Sequence, residues 1–210
     1  MVVITTMTGK SLIDEMTLAL LMPRNDHISR RGTCVEDAIV MMERPHCLVV
    51  GVGAGTGLAC VRRFVAGGYK VSMIARHEER LLSFANSTPY TMAYPSDLAE
   101  PDDYRATLRR IVDEQGLPKK VVYNAALATF QSYSELDIDL FERNFRVNTT
   151  GLLVTAQELA PQMVTAGDGA LIITGNTGAS RGIPRFVGFS PTKASQRILA
   201  ESLARELWPQ

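Results

Sequence analysis

The sequence predicts an α/β domain in which a doubly wound parallel sheet lies between two layers of helices. Short apolar runs such as CLVVG and ALIITG alternate with longer segments of helical periodicity, which requires crossover connections and a sheet covered on both faces. Four glycines follow the first run, where the strand turns into its helix. The length of 210 residues, with 46% hydrophobic and 21% charged residues, suits one globular domain with a well-filled core.

Charge and cysteine content exclude several classes of protein. The formal net charge is zero, from 22 basic and 22 acidic side chains, which argues against nucleic acid or an anionic membrane as a partner. The three cysteines are an odd number without C-x-x-C spacing, which predicts reduced thiols and a cytoplasmic location. No apolar run is long enough to span a bilayer, and the three histidines lack metal-ligand spacing.

Two regions are predicted from the change in pattern along the chain. Residues 1–45 hold two short apolar patches separated by the polar stretch NDHISRRG. We interpret them as an N-terminal appendage of unassigned role, either helical or disordered. Residues 46–210 form the α/β domain.

The elements of this domain follow in regular order. The strand CLVVG is followed by the helix LACVRRFVAGG, the strand KVSMIAR, the helix HEERLLSFA and the strand YTMAYPSD. The next helix, PDDYRATLRRIVDEQG, opens with acids and closes at Gly116, and the strand KKVVYNAA comes after it. A long helix is predicted from about Leu136 to Thr165, then the strand ALIITG, and a final helix that starts near Ser190.

The glycine loop VGVGAGTG is the first candidate site. Its glycines do not fit the spacing G-x-G-x-x-G, and Gly51, Gly55 and Gly57 give G-x3-G-x-G instead. Both spacings meet the same physical requirement of a dinucleotide-binding loop. The backbone must turn sharply, approach a pyrophosphate without a Cβ in the way, and direct the N–H groups of a helix start at the anion. A plain strand-to-helix turn is the alternative, but four glycines in seven residues favour nucleotide binding.

Taken together, these features resemble the short-chain dehydrogenase/reductase family, from about Cys47 to the last residue. The shared features are GVGAGTG, Asp97 after the third strand, YNAA at 123–126, Asn148 in VNTTG, and F-x-x-x-K at 189–193. The resemblance implies a Rossmann-like NAD(P)-binding fold. It also implies oxidoreductase chemistry on a carbonyl or alcohol, and a homo-oligomer.

The end of the second strand bears on the choice between NADP and NAD. Arg76 stands there, with Arg80 nearby, and an arginine suits the 2′-phosphate of NADP, whereas an acid suits the ribose hydroxyls of NAD. NADP is therefore the predicted cofactor, and a solvated surface arginine is the alternative.

The resemblance implies that Asp97 contacts the adenine edge, although an acid in the turn before a helix would look the same. Asn124 would bind backbone across the crevice and hold the cofactor loop open. The predicted cofactor-binding residues are Gly51, Gly55, Thr56, Gly57, Arg76, Asp97, Leu98, Asn124, Ala125 and Lys193.

The catalytic pattern of the family is incomplete in this chain. It needs a tyrosine four residues before a lysine, and a serine or threonine about a dozen residues earlier. Lys193 is in register, but Phe189 occupies the tyrosine position. Thr177, twelve residues before Phe189, could supply the lesser hydroxyl, and Asn176 stands at thirteen. Asn148 lies on the apolar face of the long helix, either as a satisfied core amide or as the holder of a water beside Lys193.

Three functions remain open at this point. The chain is an NADP-dependent oxidoreductase with a degraded catalytic set, a non-catalytic NADP(H)-binding relative that serves as a sensor or inactive subunit, or an inactive fragment. Family members continue beyond the final helix with further strands, whereas this sequence ends at Gln210, so we expect a C-terminally truncated domain. Its bare sheet edge would need cover from a partner or from residues 1–45.

Overall fold

The computed structural model describes the backbone of residues 2–6 and all of residues 43–207. The strands are β1 (Val2–Thr6), β2 (His46–Val50), β3 (Lys70–Ala75), β4 (Thr91–Pro95), β5 (Lys120–Tyr123) and β6 (Ala170–Thr174). They form one sheet in the order β1-β6-β5-β2-β3-β4, in which β2 to β6 are parallel. The chain winds outwards from β2 in both directions, which confirms the predicted doubly wound sheet.

In the described part of the chain, six helices connect and cover these strands. They are α1 (Thr56–Ala66), α2 (Glu78–Ser87), α3 (Pro101–Gln115), α4 (Ile138–Phe145), α5 (Gly151–Ala166) and α6 (Ser190–Glu206). A π-helical turn, Arg146–Thr150, joins α4 to α5 without a break, so the long helix predicted from about Leu136 contains one turn of wider winding. A 3-10 turn, Thr177–Ala179, follows β6. Within residues 43–207, no helix is long and apolar enough to cross a bilayer.

The core consists of two layers, one on each face of the sheet. Leu48 and Val50 of β2 pack with α3, α5 and Ala200 of α6, whereas Cys47 and Val49 of the same strand pack with α1 and α2. Successive residues of a strand point to opposite faces. A strand buried on both sides must therefore be apolar throughout, which explains the continuous run CLVV and confirms the three-layer arrangement.

A buried histidine fixes the start of the central strand. His46 Nδ1 donates to the carbonyl of Gly116 at 2.7 Å, and its Nε2 lies 2.9 Å from the Ser72 hydroxyl. Burial lowers the pKa of His46 to about 4, because a charged imidazolium would lose its hydration there. The ring is therefore neutral near pH 7, and its Nε2 accepts from Ser72.

The strand β1 lies at the edge of the sheet. It pairs antiparallel with β6, with Val2 opposite Thr174 and Thr6 opposite Ala170. The edge of β6 was expected to need a covering segment, and residues 2–6 of the N-terminal region cover it. Residues 1–45 were expected to be a helical or disordered appendage, but residues 2–6 are a strand of the sheet. For residues 7–42, which lie outside the described part of the chain, the expectation remains a prediction.

Candidate functional site

A cleft of about 310 Å³ opens at the carboxyl ends of the parallel strands. It lies where the strand order reverses, with β2, β3 and β4 on one side and β5 on the other, the position at which doubly wound sheets bind their ligands. The loops after β2, β3, β4 and β5 form its walls. Nine of the ten predicted cofactor-binding residues line it: Gly51, Gly55, Thr56, Gly57, Arg76, Asp97, Leu98, Asn124 and Ala125. Lys193 does not.

The glycines of the loop after β2 divide into two kinds. Gly51 has φ of +88°, and a Cβ there would lie 2.3 Å from the Ala125 backbone nitrogen. A Cβ on Gly57 would lie 2.6 Å from the Gly51 carbonyl oxygen. These two glycines are therefore needed for backbone packing. At Gly53 and Gly55 a Cβ would meet no atom within 4 Å. Both line the cleft, so the loop leaves room for an anion beside the start of α1.

Asn124 links the two halves of the sheet at this cleft. Its Nδ2 donates to the Gly51 carbonyl at 2.8 Å, and its backbone nitrogen donates to the Val50 carbonyl at 2.8 Å. Its Oδ1 accepts from the Thr174 hydroxyl at 3.2 Å. The backbone contact expected for this side chain is present. It holds the first glycine of the loop in place from across the crevice.

The loop after β3 makes the cleft basic on one side. Arg76, His77 and Arg80 all line it, and no ion pair between described residues includes Arg76 or Arg80. His77 was not predicted, because no motif marks it. Its position directly after Arg76 and before α2 was the only available signal.

Asp97, after the neighbouring strand β4, also lines the cleft, and its carboxylate already has protein partners. Its Oδ1 accepts from the backbone nitrogen of Ala99 at 3.0 Å, and its Oδ2 pairs with Arg143 at 2.5 Å. The contact with Ala99 is that of an acid in the turn before a helix, which was the alternative explanation of this residue. Contact with an adenine remains a prediction.

Asn148 is fully buried in the π-helical turn. Its Oδ1 accepts from the Leu127 nitrogen at 2.7 Å, and its Nδ2 donates to the Leu127 carbonyl at 2.9 Å and to the Thr192 hydroxyl at 2.8 Å. The side chain therefore has the partners of a satisfied core amide. It makes no direct hydrogen bond to Lys193, and its proposed role in a proton relay remains a prediction.

Lys193 projects from α6 into the protein and is only 3% exposed. Its Nζ donates to the Thr174 carbonyl at 2.9 Å and also to Oε1 of Gln196. Burial lowers the pKa of Lys193 to about 8, because the ammonium is removed from water without a carboxylate partner among the described residues.

An aromatic cluster surrounds the position of the missing tyrosine. Phe189 is 9% exposed, and its ring centre lies 5.8 Å from that of Phe130 and 6.4 Å from that of Phe186. Phe130 and Phe186 contact each other at 4.7 Å. The tyrosine position is therefore occupied by a well-packed apolar ring that cannot donate a proton.

The hydroxyl candidate Thr177 is exposed in its 3-10 turn and makes no side-chain hydrogen bond to a described residue. Its neighbour Asn176 begins the same turn, and Asn176 Oδ1 accepts from the Ala179 nitrogen at 3.1 Å. The structure therefore places Thr177 on the surface after β6. It does not connect Thr177 to Lys193 or Phe189.

Asn144 is a buried residue that the sequence analysis missed. It is fully buried, and its Nδ2 donates to the Thr129 hydroxyl at 2.9 Å and to the Gly188 carbonyl at 2.8 Å. It thereby ties the loop after β5 to the residue preceding Phe189. Its spacing of four residues from Asn148 was the available signal, since residues four apart share a helix face.

A parallel sheet in this order, with a glycine loop and a cleft at the switch point, defines a nucleotide-binding α/β protein of the Rossmann type. The sequence profile described as short chain dehydrogenase matches residues 45–210, and the chain belongs to this family.

Relatives and solved structures agree with this assignment. Carbonyl reductase [NADPH] 2 of Sus scrofa is 28% identical over 163 residues, which cover 77% of this chain and 65% of the relative. L-xylulose reductase of Homo sapiens gives the same identity and coverage. A short-chain dehydrogenase from Streptomyces avermitilis superimposes with a TM-score of 0.74 at 25% identity, covering 79% of this chain and 61% of that structure. The chain thus spans less than two thirds of the length of each of these proteins.

Proposed function

We propose that this protein binds NADP(H) in the cleft and acts in the oxidation or reduction of an alcohol or carbonyl substrate. The observation that supports this most strongly is the meeting of nine predicted residues, from four separate loops, in one cleft at the switch point. The open space at Gly53 and Gly55 suits a pyrophosphate. The relative from Sus scrofa carries the name carbonyl reductase [NADPH] 2, which agrees with this chemistry.

The preference for NADP rests on Arg76 and Arg80. Two guanidinium groups line the cleft, one directly after β3 and one in the first turn of α2. Without carboxylate partners among the described residues, they would favour a 2′-phosphate over free ribose hydroxyls. The same proposal includes a carbonyl or alcohol substrate, assembly into a homo-oligomer and a cytoplasmic location.

A bound nicotinamide would supply or accept the hydride. From this chain, Lys193 would hold the ribose hydroxyls, Asn148 would keep the wall of the site in place, and Thr177 would offer a hydroxyl to the substrate. Because Phe189 has no proton to give, a water would have to take the place of the phenol. Loss of a positioned general acid costs about 10²–10⁴-fold in rate, so we expect slow turnover.

A second function, NADP(H) binding without catalysis, is favoured by the surroundings of Phe189. Its ring packs against Phe130 and Phe186, and the exposed Thr177 makes no hydrogen bond to Lys193. An inactive subunit or a sensor would need the cofactor cleft but no proton donor.

Calorimetric titration of the chain with NADPH, and in parallel with NADH, tests the shared part of both functions. Micromolar binding with NADPH preferred is the expected result, and absence of binding to either would refute both. The Phe189→Tyr variant then separates them. A gain of carbonyl reduction over a panel of aldehydes and ketones supports the enzyme, whereas normal NADPH binding without any gain supports the non-catalytic function.

A homo-oligomer would pair through α5 and α6. Leu153 and Ile198 stand on these helices at 38% and 50% exposure and line one shallow groove. Sedimentation of the wild type and of Ile198→Asp tests this, since a buried carboxylate would dissociate the pair. A wild type that sediments as a monomer would contradict it.

A further inference from the structure

Gln196 is a buried polar residue that the proposed function does not yet use. It stands three residues after Lys193 on α6 and is 1% exposed. Its Oε1 accepts from Lys193 Nζ, while its Nε2 has no hydrogen-bond partner among the described residues. A buried amide that is only half satisfied costs stability relative to an apolar side chain of similar size. Its presence therefore calls for a role other than packing.

The contact between Gln196 and Lys193 continues to the cofactor loop. Lys193 donates to the Thr174 carbonyl, the Thr174 hydroxyl donates to Asn124 Oδ1, and Asn124 Nδ2 donates to the Gly51 carbonyl. These three hydrogen bonds are between 2.8 and 3.2 Å long. One polar chain thus runs from Gln196 on α6 to the first glycine of the cleft.

The two acceptors leave Lys193 one uncommitted donor. A lysine ammonium has three N–H groups, and the Thr174 carbonyl and Gln196 Oε1 account for two. The ribose of a nicotinamide nucleotide presents two neighbouring hydroxyls. Binding both through Lys193 therefore requires release of one of the present acceptors. Gln196 is the one on a side chain that can rotate away.

Nearby charges do not compete for this lysine. On α6 itself, Arg197 and Glu201 pair with each other at 2.5 Å. The sequences of β1, β6 and the 3-10 turn contain no titratable residue, and the π-helical turn contributes only Arg146. The surroundings of the Lys193 ammonium are therefore set by neutral oxygens.

We propose that Gln196 is a positioning residue that holds Lys193 turned into the protein and thereby lowers the affinity of the nicotinamide half of the cofactor site. This inference rests on the proposed NADP(H) function. Two substitutions change the acceptor in opposite directions. Gln196→Met keeps the length and volume of the side chain and removes the oxygen, whereas Gln196→Glu replaces a neutral acceptor with a charged one.

The experiment measures two ligands on the wild type and both variants. NADPH occupies the whole site, whereas adenosine 2′,5′-bisphosphate occupies only the adenine half. One hydrogen bond to a charged group corresponds to about a tenfold change in affinity. We therefore expect NADPH to bind about tenfold more tightly to Gln196→Met and about tenfold more weakly to Gln196→Glu, with the bisphosphate unchanged in all three proteins.

The pH dependence of NADPH binding gives a second readout. Binding through Lys193 is lost as its ammonium deprotonates, so affinity falls on the alkaline side. The midpoint of this fall should move down in Gln196→Met, where the ammonium loses an acceptor, and up in Gln196→Glu, where a carboxylate stabilises it.

The outcomes separate this inference from the function on which it rests. NADPH affinity and midpoint unchanged in both variants would overturn the role of Gln196. A parallel loss of both ligands in Gln196→Met would also overturn it, because that pattern indicates a packing role. Failure of the wild type to bind adenosine 2′,5′-bisphosphate would refute the NADP site itself.

Discussion

The glycine loop offers the sharpest test of the cofactor site, because two of its glycines should respond differently to the same added methyl group. A Cβ at Gly57 would lie 2.6 Å from the Gly51 carbonyl oxygen and 2.8 Å from the Val52 Cα. Both are backbone atoms, so the first turn of α1 or the loop must shift. A Cβ at Gly53 would meet nothing within 4 Å and would point into open space at the cleft.

The expected magnitudes follow from this geometry. Overpacking against backbone costs about 1–3 kcal/mol, so Gly57→Ala should lower the free energy of unfolding by at least that range. Gly53→Ala should change it by no more than about 0.5 kcal/mol. A methyl group at Gly53 keeps a pyrophosphate away from the loop N–H groups. Losing one charge-assisted hydrogen bond there weakens NADPH binding about tenfold or more.

Urea denaturation of both variants gives the unfolding free energies, and calorimetry at a temperature where both are folded gives the NADPH affinities. The expected pattern is a stable Gly53→Ala that binds NADPH poorly beside a destabilised Gly57→Ala. Wild-type NADPH affinity in Gly53→Ala would refute the placement of the pyrophosphate at this loop. Wild-type stability in Gly57→Ala would refute the packing argument.

Three further variants test other parts of the structure. Because burial lowers the pKa of His46 from 6.5 to about 4, unfolding exposes a group that binds a proton between these values. The unfolding free energy of the wild type should therefore fall by up to about 3 kcal/mol as pH falls from 6.5 towards 4. Thermal denaturation over this pH range should show no such fall for His46→Gln. Arg76→Ala should weaken NADPH binding about tenfold and leave NADH unchanged, and equal losses for both would contradict a 2′-phosphate contact. Asn144→Leu leaves the Gly188 carbonyl unpaired and should cost about 1–3 kcal/mol in urea denaturation, whereas no loss would mean that the loops hold without it.

The order of strands and helices in residues 46–207 could be predicted because each element has a characteristic pattern in its own local sequence. A strand buried on two faces must be a short apolar run, and CLVV and ALII have that form. Each covering helix keeps its apolar residues on one side. The cofactor loops were predictable for the same reason, since the carboxyl ends of neighbouring parallel strands must meet at one edge of the sheet.

What the sequence did not predict depends on contacts between distant segments. Asn144 and Gln196 have the composition of solvent-facing helix positions, and only the neighbours packed over them make them buried. The π-helical turn at Arg146–Thr150 depends on hydrogen bonds that leave no composition signal. The strand Val2–Thr6 pairs with Ala170–Thr174, and a pairing between such distant segments cannot be predicted from a local sequence pattern.

The pairing of β1 with β6 has a consequence for how the chain assembles. Of the described strands, β1 is synthesised before all the others, and its partner β6 begins only at Ala170. At roughly 5–20 residues per second of synthesis, β1 waits on the order of ten seconds or more before β6 exists. Contacts of such long separation form late, after their loop-closure entropy has been offset by other structure. Docking of β1 is thus expected to be the final step of folding, and a protease present during translation would find this strand unprotected.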